Sequence, residues 1–193
     1  CIVKIVKIQN PPSVEALVDR FGRQRYCFVL DSAQSNDGLG EWSFFGADPF
    51  QIVTGDLADL RQAIQPYQLE VHPEIPFTGG AVGYLSYDYG RRLENLDSLA
   101  KDDRQIPDMH FGLYDGVAAL NHETGVLFLL GHDFSDTADA VIERLRAIVG
   151  VGLDTPTDIL EQAATVVAKH ATMISDLPAR RSEWKWNLSR ADF

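Results

Sequence analysis

Cysteine is nearly missing from this chain: there are two among 193 residues, Cys1 and Cys27. One of them sits at the terminus, where order is poor. The sequence therefore predicts no structural disulfide and a reducing, cytoplasmic setting. Long apolar runs are missing too. No stretch reaches the ~20 residues that a membrane-spanning helix needs. The segment 2–8 is too short for a signal peptide and is interrupted by Lys4 and Lys7. Positive charge is in deficit, with 17 Lys and Arg against 28 Asp and Glu, a formal net charge of −11. That balance argues against nucleic acid, whose affinity comes from cations neutralising phosphates, and against an anionic membrane surface. A glycosylation sequon at Asn187–Ser189 has no other sign of secretion beside it.

Catalytic signatures are also absent. There is no Gly-x-Ser-x-Gly elbow, and neither cysteine has a histidine partner in sequence context. The histidines (His72, His110, His122, His132 and His170) never come at metal-ligand spacing. Each reads as a surface or satisfied structural histidine. The glycines Gly79, Gly80 and Gly83 are not followed by Lys-Ser/Thr and lead into a strand, so a phosphate loop is not expected. No catalytic residue and no metal ligand is assigned on the residues alone.

What is present is an ordinary globular composition, 45% hydrophobic and 23% charged, in a chain long enough to bury a full core. Residues 3–8 alternate and predict a strand, stopped by Pro11 and Pro12. Ser13 caps a helix whose Val14, Leu17, Val18 and Phe21 fall at i, i+3, i+4 and i+7, with Gly22 at its end. Strands are expected over 25–31, 41–47 and 50–54. Asp56 caps a second helix, with Leu57, Leu60 and Ile64 on one face and Pro66 at its end. A short strand is expected over 68–71. Residues 111–121 and 126–132 predict a hairpin. Ser135 or Asp136 starts a helix closed by Gly150. The run Thr155-Pro156-Thr157-Asp158 predicts another helix start, with Ile159, Leu160, Ala163, Val166 and Val167 as its apolar face. Strands come in groups of two or three between single helices, unlike the strict alternation of a doubly wound sheet. The fold class expected is α+β: a largely antiparallel β-sandwich with outer helices.

The densest stretch is 76–94. Glycines at a strand entrance permit close backbone approach. Tyr84, Leu85 and Tyr87 suit a pleated surface. The reading is a buried strand running into a charged corner of Asp88, Arg91, Arg92 and Glu94. A salt-bridged corner is favoured there over a functional charge cluster, and Asp115 has the same status, as an acceptor at a strand start. The blocks Tyr87-Asp88-Tyr89-Gly90-Arg91-Arg92-Leu93-Glu94, Ile106-Pro107-Asp108-Met109 and Gly112-Leu113-Tyr114-Asp115, in that order and spacing, resemble the N-terminal domain of the chorismate-aminating component I enzymes. These are the aminodeoxychorismate synthases and the anthranilate synthases, and the likeness is closer to the former. The resemblance implies the same sandwich architecture, with sheet contributed to a large two-sided β core.

Two further blocks carry the likeness: Phe28-Val29-Leu30-Asp31-Ser32, and the segment from Gly40 to Pro49 that opens Gly40-Glu41-Trp42. In relatives these segments line a pocket for free tryptophan. The resemblance implies that Ser32 offers its hydroxyl to the ligand's polar end and that Leu39, Gly40, Glu41 and Trp42 form the wall. An apolar slot with a few polar groups is chemically suited to an indole and a zwitterion. The chain departs from the pattern at Asp31, where relatives often have Glu, and at Glu41-Trp42, where they often have Arg followed by an aromatic. The acid in place of a cation removes a carboxylate partner, and Trp42 can itself fill the slot. Packing alone is the competing reading of these residues.

The resemblance also implies a second domain that binds chorismate and Mg2+ and, in one subgroup, uses a lysine nucleophile in a Pro-Ile-Lys-Gly-Thr block. Neither that block nor acidic magnesium ligands occur here. Residues 186–193 resemble the start of that domain. The expected organisation is residues 1–150 as N-terminal domain and 151–193 as linker helix and start of the catalytic domain. The chain is thus expected to be a non-catalytic front part of a longer enzyme. The expected partners are a glutamine amidotransferase subunit, the catalytic domain of the same protein and L-tryptophan. Two alternatives remain: an anthranilate synthase component I, or a stand-alone amino-acid-binding or docking module. Sheet edges left open in such a part predict self-association.

Overall fold

A computed structural model describes residues 2–32, 40–69, 72–94, 105–151 and 157–163. Nine strands and four α-helices follow one another along these residues. Strand β1 (Ile2–Ile8) leads to helix α1 (Val14–Gly22), where the Ser13 hydroxyl accepts from the Ala16 N–H and Leu17 and Phe21 are buried. Strands β2 (Phe28–Leu30), β3 (Trp42–Gly46) and β4 (Gln51–Val53) come next. Helix α2 (Leu57–Ile64) opens with a reciprocal cap in which Asp56 and Asp59 each accept from the other's backbone. Strand β5 (Gly80–Leu85) ends in a 3-10 turn at Tyr87–Tyr89 and helix α3 (Gly90–Leu93). Strands β6 (Met109–Tyr114), β7 (Gly116–Asn121) and β8 (Val126–His132), helix α4 (Ala138–Val149) and strand β9 (Thr157–Ala163) complete the order.

The strands form two sheets: a six-stranded one in the order β2-β3-β7-β8-β1-β9, and a three-stranded one in the order β4-β6-β5. Every described pairing is antiparallel, as the α+β reading requires. Alternation along the large sheet sorts its side chains into two faces. Val6, Ile8, Phe45, Ala118, Leu120, Leu127 and Leu129 meet α1 and α4 through Leu17, Phe21, Ile142, Leu145 and Val149. On the opposite face Ile5, Val117, Ala119 and Leu130 pack with Phe28, Ile75 and Tyr114. The small sheet turns Val53, Met109 and Leu113 toward α2, where Leu60, Ala63 and Ile64 cover them. The core is thus a sandwich with helices outside.

Strands β6 and β7 are one run of chain broken at Asp115, where it passes from the small sheet to the large one. The sequence predicts an unbroken strand over 111–121, so the break is a correction. Asp115 is 1% exposed and accepts from Ser135 Oγ at 2.5 Å and from Arg144 Nη2 at 2.6 Å. The passage is tied down by charge as well as by packing.

Four other expectations are corrected. The helix expected from Thr155 onward is a strand over 157–163, paired along the whole of β1 from Ile2↔Ala163 to Ile8↔Thr157. A local helix-start signal is a weak prior, and the open edge of β1 overrides it. Residues 164–167 lie outside the described ones. The strand expected over 68–71 is not formed at Gln68 and Leu69, and Glu70 and Val71 lie outside the described residues. The strand expected over 25–31 shortens to Phe28–Leu30, because Tyr26 takes a left-handed φ of 47° that no strand accommodates. Helix α4 starts from Thr137 rather than Ser135 or Asp136, and the Thr137 hydroxyl accepts from the Ala140 N–H at 3.2 Å.

The glycine-rich strand is also not buried. β5 is an edge strand whose second half is exposed, and Tyr87 beyond it is 97% exposed. The close approach expected of its glycines does hold. A Cβ on Gly83 would stand 2.1 Å from the His110 carbonyl oxygen.

Candidate functional site

The residues expected to bind a ligand lie where β2, β3 and β7 end together. Pairing of Leu30 with Phe44 and of Trp42 with Asn121 brings the three strand ends into line. Ser43 stands at their centre and is fully buried. Its Oγ lies 2.6 Å from Asp31 Oδ1 and 2.7 Å from His122 Nε2, and it accepts from the Ser32 N–H at 3.2 Å. Beside it Glu41 Oε1 accepts from Asn121 Nδ2 at 2.8 Å, and the Glu41 carbonyl accepts from the His122 N–H at 2.7 Å. Asn121 Oδ1 closes the β7–β8 turn by accepting from the Thr124 N–H and hydroxyl.

Alternation decides which face each side chain takes. Ser43 and Phe45 point toward the α1 and α4 side. Trp42 and Phe44 point to the opposite face, where they pack with Phe77 and Phe128. The Trp42 ring is near-parallel to that of Phe44, at 6.2 Å and 9°, and lies 5.7 Å from that of Phe128. Lys7 Nζ sits over the Phe128 ring at 5.6 Å. Asp31 and the Ser32 N–H both meet Ser43, which sets Ser32 at the strand ends that carry Trp42. The result is a half-buried aromatic shelf of Trp42, Phe44 and Phe128, with the Lys7 ammonium over the Phe128 ring. Such a surface suits a planar apolar group carrying a carboxylate.

Of the residues singled out from sequence, Ser32, Gly40, Glu41 and Trp42 are brought to this corner, and Leu39 lies outside the described residues. Glu41 is engaged with Asn121 and supplies no cation. Sequence reasoning assigned no role to Ser43 or Asn121, and read His122 only as a structural histidine. A serine at an inward position of an otherwise apolar strand was the available signal.

Ser, His and Asp converge here, yet the arrangement is not a nucleophilic triad. There the imidazole stands between carboxylate and hydroxyl. Here the hydroxyl stands between the other two, and it is sealed from solvent. Among the described residues no group of three or more His, Cys, Asp or Glu is placed to hold a metal ion. No described helix is long and apolar enough to cross a membrane.

The other polar groups singled out are structural. Arg91 pairs with Asp88 at 2.8 Å. Arg92 pairs with Asp108 at 3.0 Å, and Asp108 also accepts from Ser86 Oγ. This is the salt-bridged corner that the sequence favoured. His132 is buried, bonds the Thr78 carbonyl at 2.8 Å through Nε2 and stacks on Phe134. Burial holds its pKa below the usual imidazole value, against the opposing effect of the Thr78 bond. His72 accepts two backbone N–H bonds at Nδ1, from Glu74 and Ile75. Its pKa is likewise lowered, first by burial. Burial pushes the Tyr114 phenol up to about 12, and its hydroxyl donates to the Tyr26 carbonyl at 2.5 Å.

The aminodeoxychorismate synthase component 1 of Klebsiella aerogenes is 39% identical over 103 residues, 53% of this chain and 22% of that protein. The corresponding Bacillus subtilis protein is 30% identical over 146 residues, 64% of this chain and 30% of its own length. The anthranilate synthase component 1 of Mycobacterium bovis is 33% identical over 132 residues, 54% of this chain and 25% of its own length. The chain thus spans under a third of the length of these relatives. The solved anthranilate synthase component I of Streptococcus pneumoniae aligns over 64% of this chain and 31% of that one, at 19% identity and a TM-score of 0.48. Residues 31–193 match the pattern of the chorismate binding enzymes, and the chain belongs to that family.

Proposed function

We propose that this chain is the N-terminal part of component I of an aminodeoxychorismate synthase, which aminates chorismate to 4-amino-4-deoxychorismate on the route to p-aminobenzoate and folate. The observation that carries this reading is the 39% identity to the Klebsiella aminodeoxychorismate synthase, against 33% to the mycobacterial anthranilate synthase. An anthranilate synthase component I is the second reading, favoured by the 30% identity of the Bacillus aminodeoxychorismate synthase, which falls below that 33%. In the first reading the chemistry, its Mg2+ and any lysine nucleophile belong to the part of the relatives that this chain does not span. Ammonia comes from a glutamine amidotransferase subunit, and the setting is cytoplasmic, in keeping with the free thiol of Cys27. The shelf of Trp42, Phe44 and Phe128, with Ser32 beside it, binds an aromatic amino acid, L-tryptophan being the first to test.

The test is an assay of the parent polypeptide with chorismate, ammonia and Mg2+, with products identified by mass. 4-Amino-4-deoxychorismate is expected. Anthranilate overturns the first reading in favour of the second. The 193-residue chain alone is expected to be inert, and turnover by it overturns the placement of the chemistry elsewhere.

A further inference from the structure

The hydroxyl of Ser43 has one proton and two lone pairs, and three partners claim all of them. Its contact with Asp31 Oδ1, at 2.6 Å, joins two oxygens, and a carboxylate only accepts, so the proton of Ser43 points at Asp31. Its lone pairs take the Ser32 N–H at 3.2 Å and the group on His122 Nε2 at 2.7 Å. Nε2 must then carry a hydrogen and donate. The hydrogen count assigns His122 the Nε2–H form and leaves Ser43 no free capacity.

Ser43 itself is sealed on the helix side of the sheet, opposite the shelf that carries Trp42, while Asp31 and His122 reach it from the more open rim. It grips the backbone of Ser32 through the amide at 3.2 Å and leaves the Ser32 hydroxyl out of the arrangement. We propose that Ser43, oriented by Asp31 and His122, is the positioning residue that presents Ser32 to a small amino-acid ligand on the Trp42 shelf. The inference rests on the reading that Ser32 and the shelf bind such a ligand. A side chain that touches the ligand must be held to a fraction of an ångström to keep its hydrogen bond. A fully satisfied buried hydroxyl does that where a chain end alone does not.

The experiment is calorimetry of the 193-residue chain with L-tryptophan, run beside thermal melts. Ser43→Ala is expected to weaken binding by about tenfold while keeping a cooperative melt. His122→Gln, whose amide N–H replaces Nε2–H, is expected to bind within about threefold of the unsubstituted chain, and His122→Phe to lose what Ser43→Ala loses. If Ser43→Ala does not fold, the His122 pair carries the test, since that side chain is only half-buried. Undiminished binding by Ser43→Ala or by His122→Phe overturns the positioning role and leaves the binding reading intact. No binding by the unsubstituted chain at millimolar ligand overturns both. Nitrogen chemical shifts of the His122 ring test the hydrogen count independently: a neutral ring protonated at Nδ1 overturns it, whatever the calorimetry shows.

Discussion

At the scale of single residues, two histidines with shifted values point one way. His132 and His72 both have pKa values lowered in the fold, chiefly by burial. Their neutral forms are therefore favoured when folded, and the unfolded chain binds protons more readily below the ordinary value of 6.5. Stability is complete above that value and falls as the pH drops through it. For His72, protonation also removes an acceptor from two backbone N–H groups. Urea unfolding between about pH 7.5 and pH 5 should show declining stability, and His132→Gln should flatten that decline without abolishing it. An unchanged pH slope in the variant would contradict the burial argument. Sequence reasoning placed these histidines as satisfied and structural, which is how His72, His122 and His132 appear. It had no means of ranking them, because the Thr78 carbonyl and the Ser43 hydroxyl that bond two of them come from distant segments.

At the scale of elements, whatever is encoded locally was legible. Helix α1 can be read whole from Ser13, the 3.6-residue spacing and Gly22. Helix α2 can be read from Asp56 and Pro66. What failed was decided by partners remote in sequence. The strand β9 replaces an expected helix because β1 has an edge to fill. The exposure of β5 follows from its place at the border of a three-stranded sheet, which no window of its own residues reveals. Gly83 is a case in which the local hint and the packing agree. Gly83→Ala sets a methyl group 2.1 Å from the His110 oxygen and 2.6 Å from Phe111 Cα. Both atoms are backbone and cannot swing away, so the cost should be about 2–3 kcal/mol by urea unfolding. Gly90→Ala is the control. Its Cβ meets nothing within 4 Å and its backbone is helical, so the change should be neutral or stabilise by about 0.5–1 kcal/mol. Equal melting of the two variants would refute the close-approach account.

At the scale of the whole molecule, the large sheet has one face covered by α1 and α4 and another only partly covered by the small sheet. Trp42, Phe44, Phe77 and Phe128 remain half-buried on that second face. Tyr84, Leu85, Tyr87 and Ile106 are exposed around the end of β5, an edge strand. Open edges and apolar surface favour association. Light scattering of the 193-residue chain should show self-association that rises with protein concentration, and a monodisperse monomer at all concentrations would contradict it. The sandwich class was legible from the grouping of strands. The order of strands across the sheet was not, because it depends on pairings between the two ends of the chain.

The position of β1 carries a consequence for synthesis on the ribosome. Strand β1 lies between β8 and β9, with Val3 opposite His132 and Ile2 opposite Ala163. Neither partner exists until the residues from 126 onward have been translated, so an apolar segment waits unpaired while the chain between them is made. Nascent chains stalled before residue 126 should therefore be aggregation-prone clients of holdase chaperones, and acquire protease resistance only after β8 clears the exit tunnel.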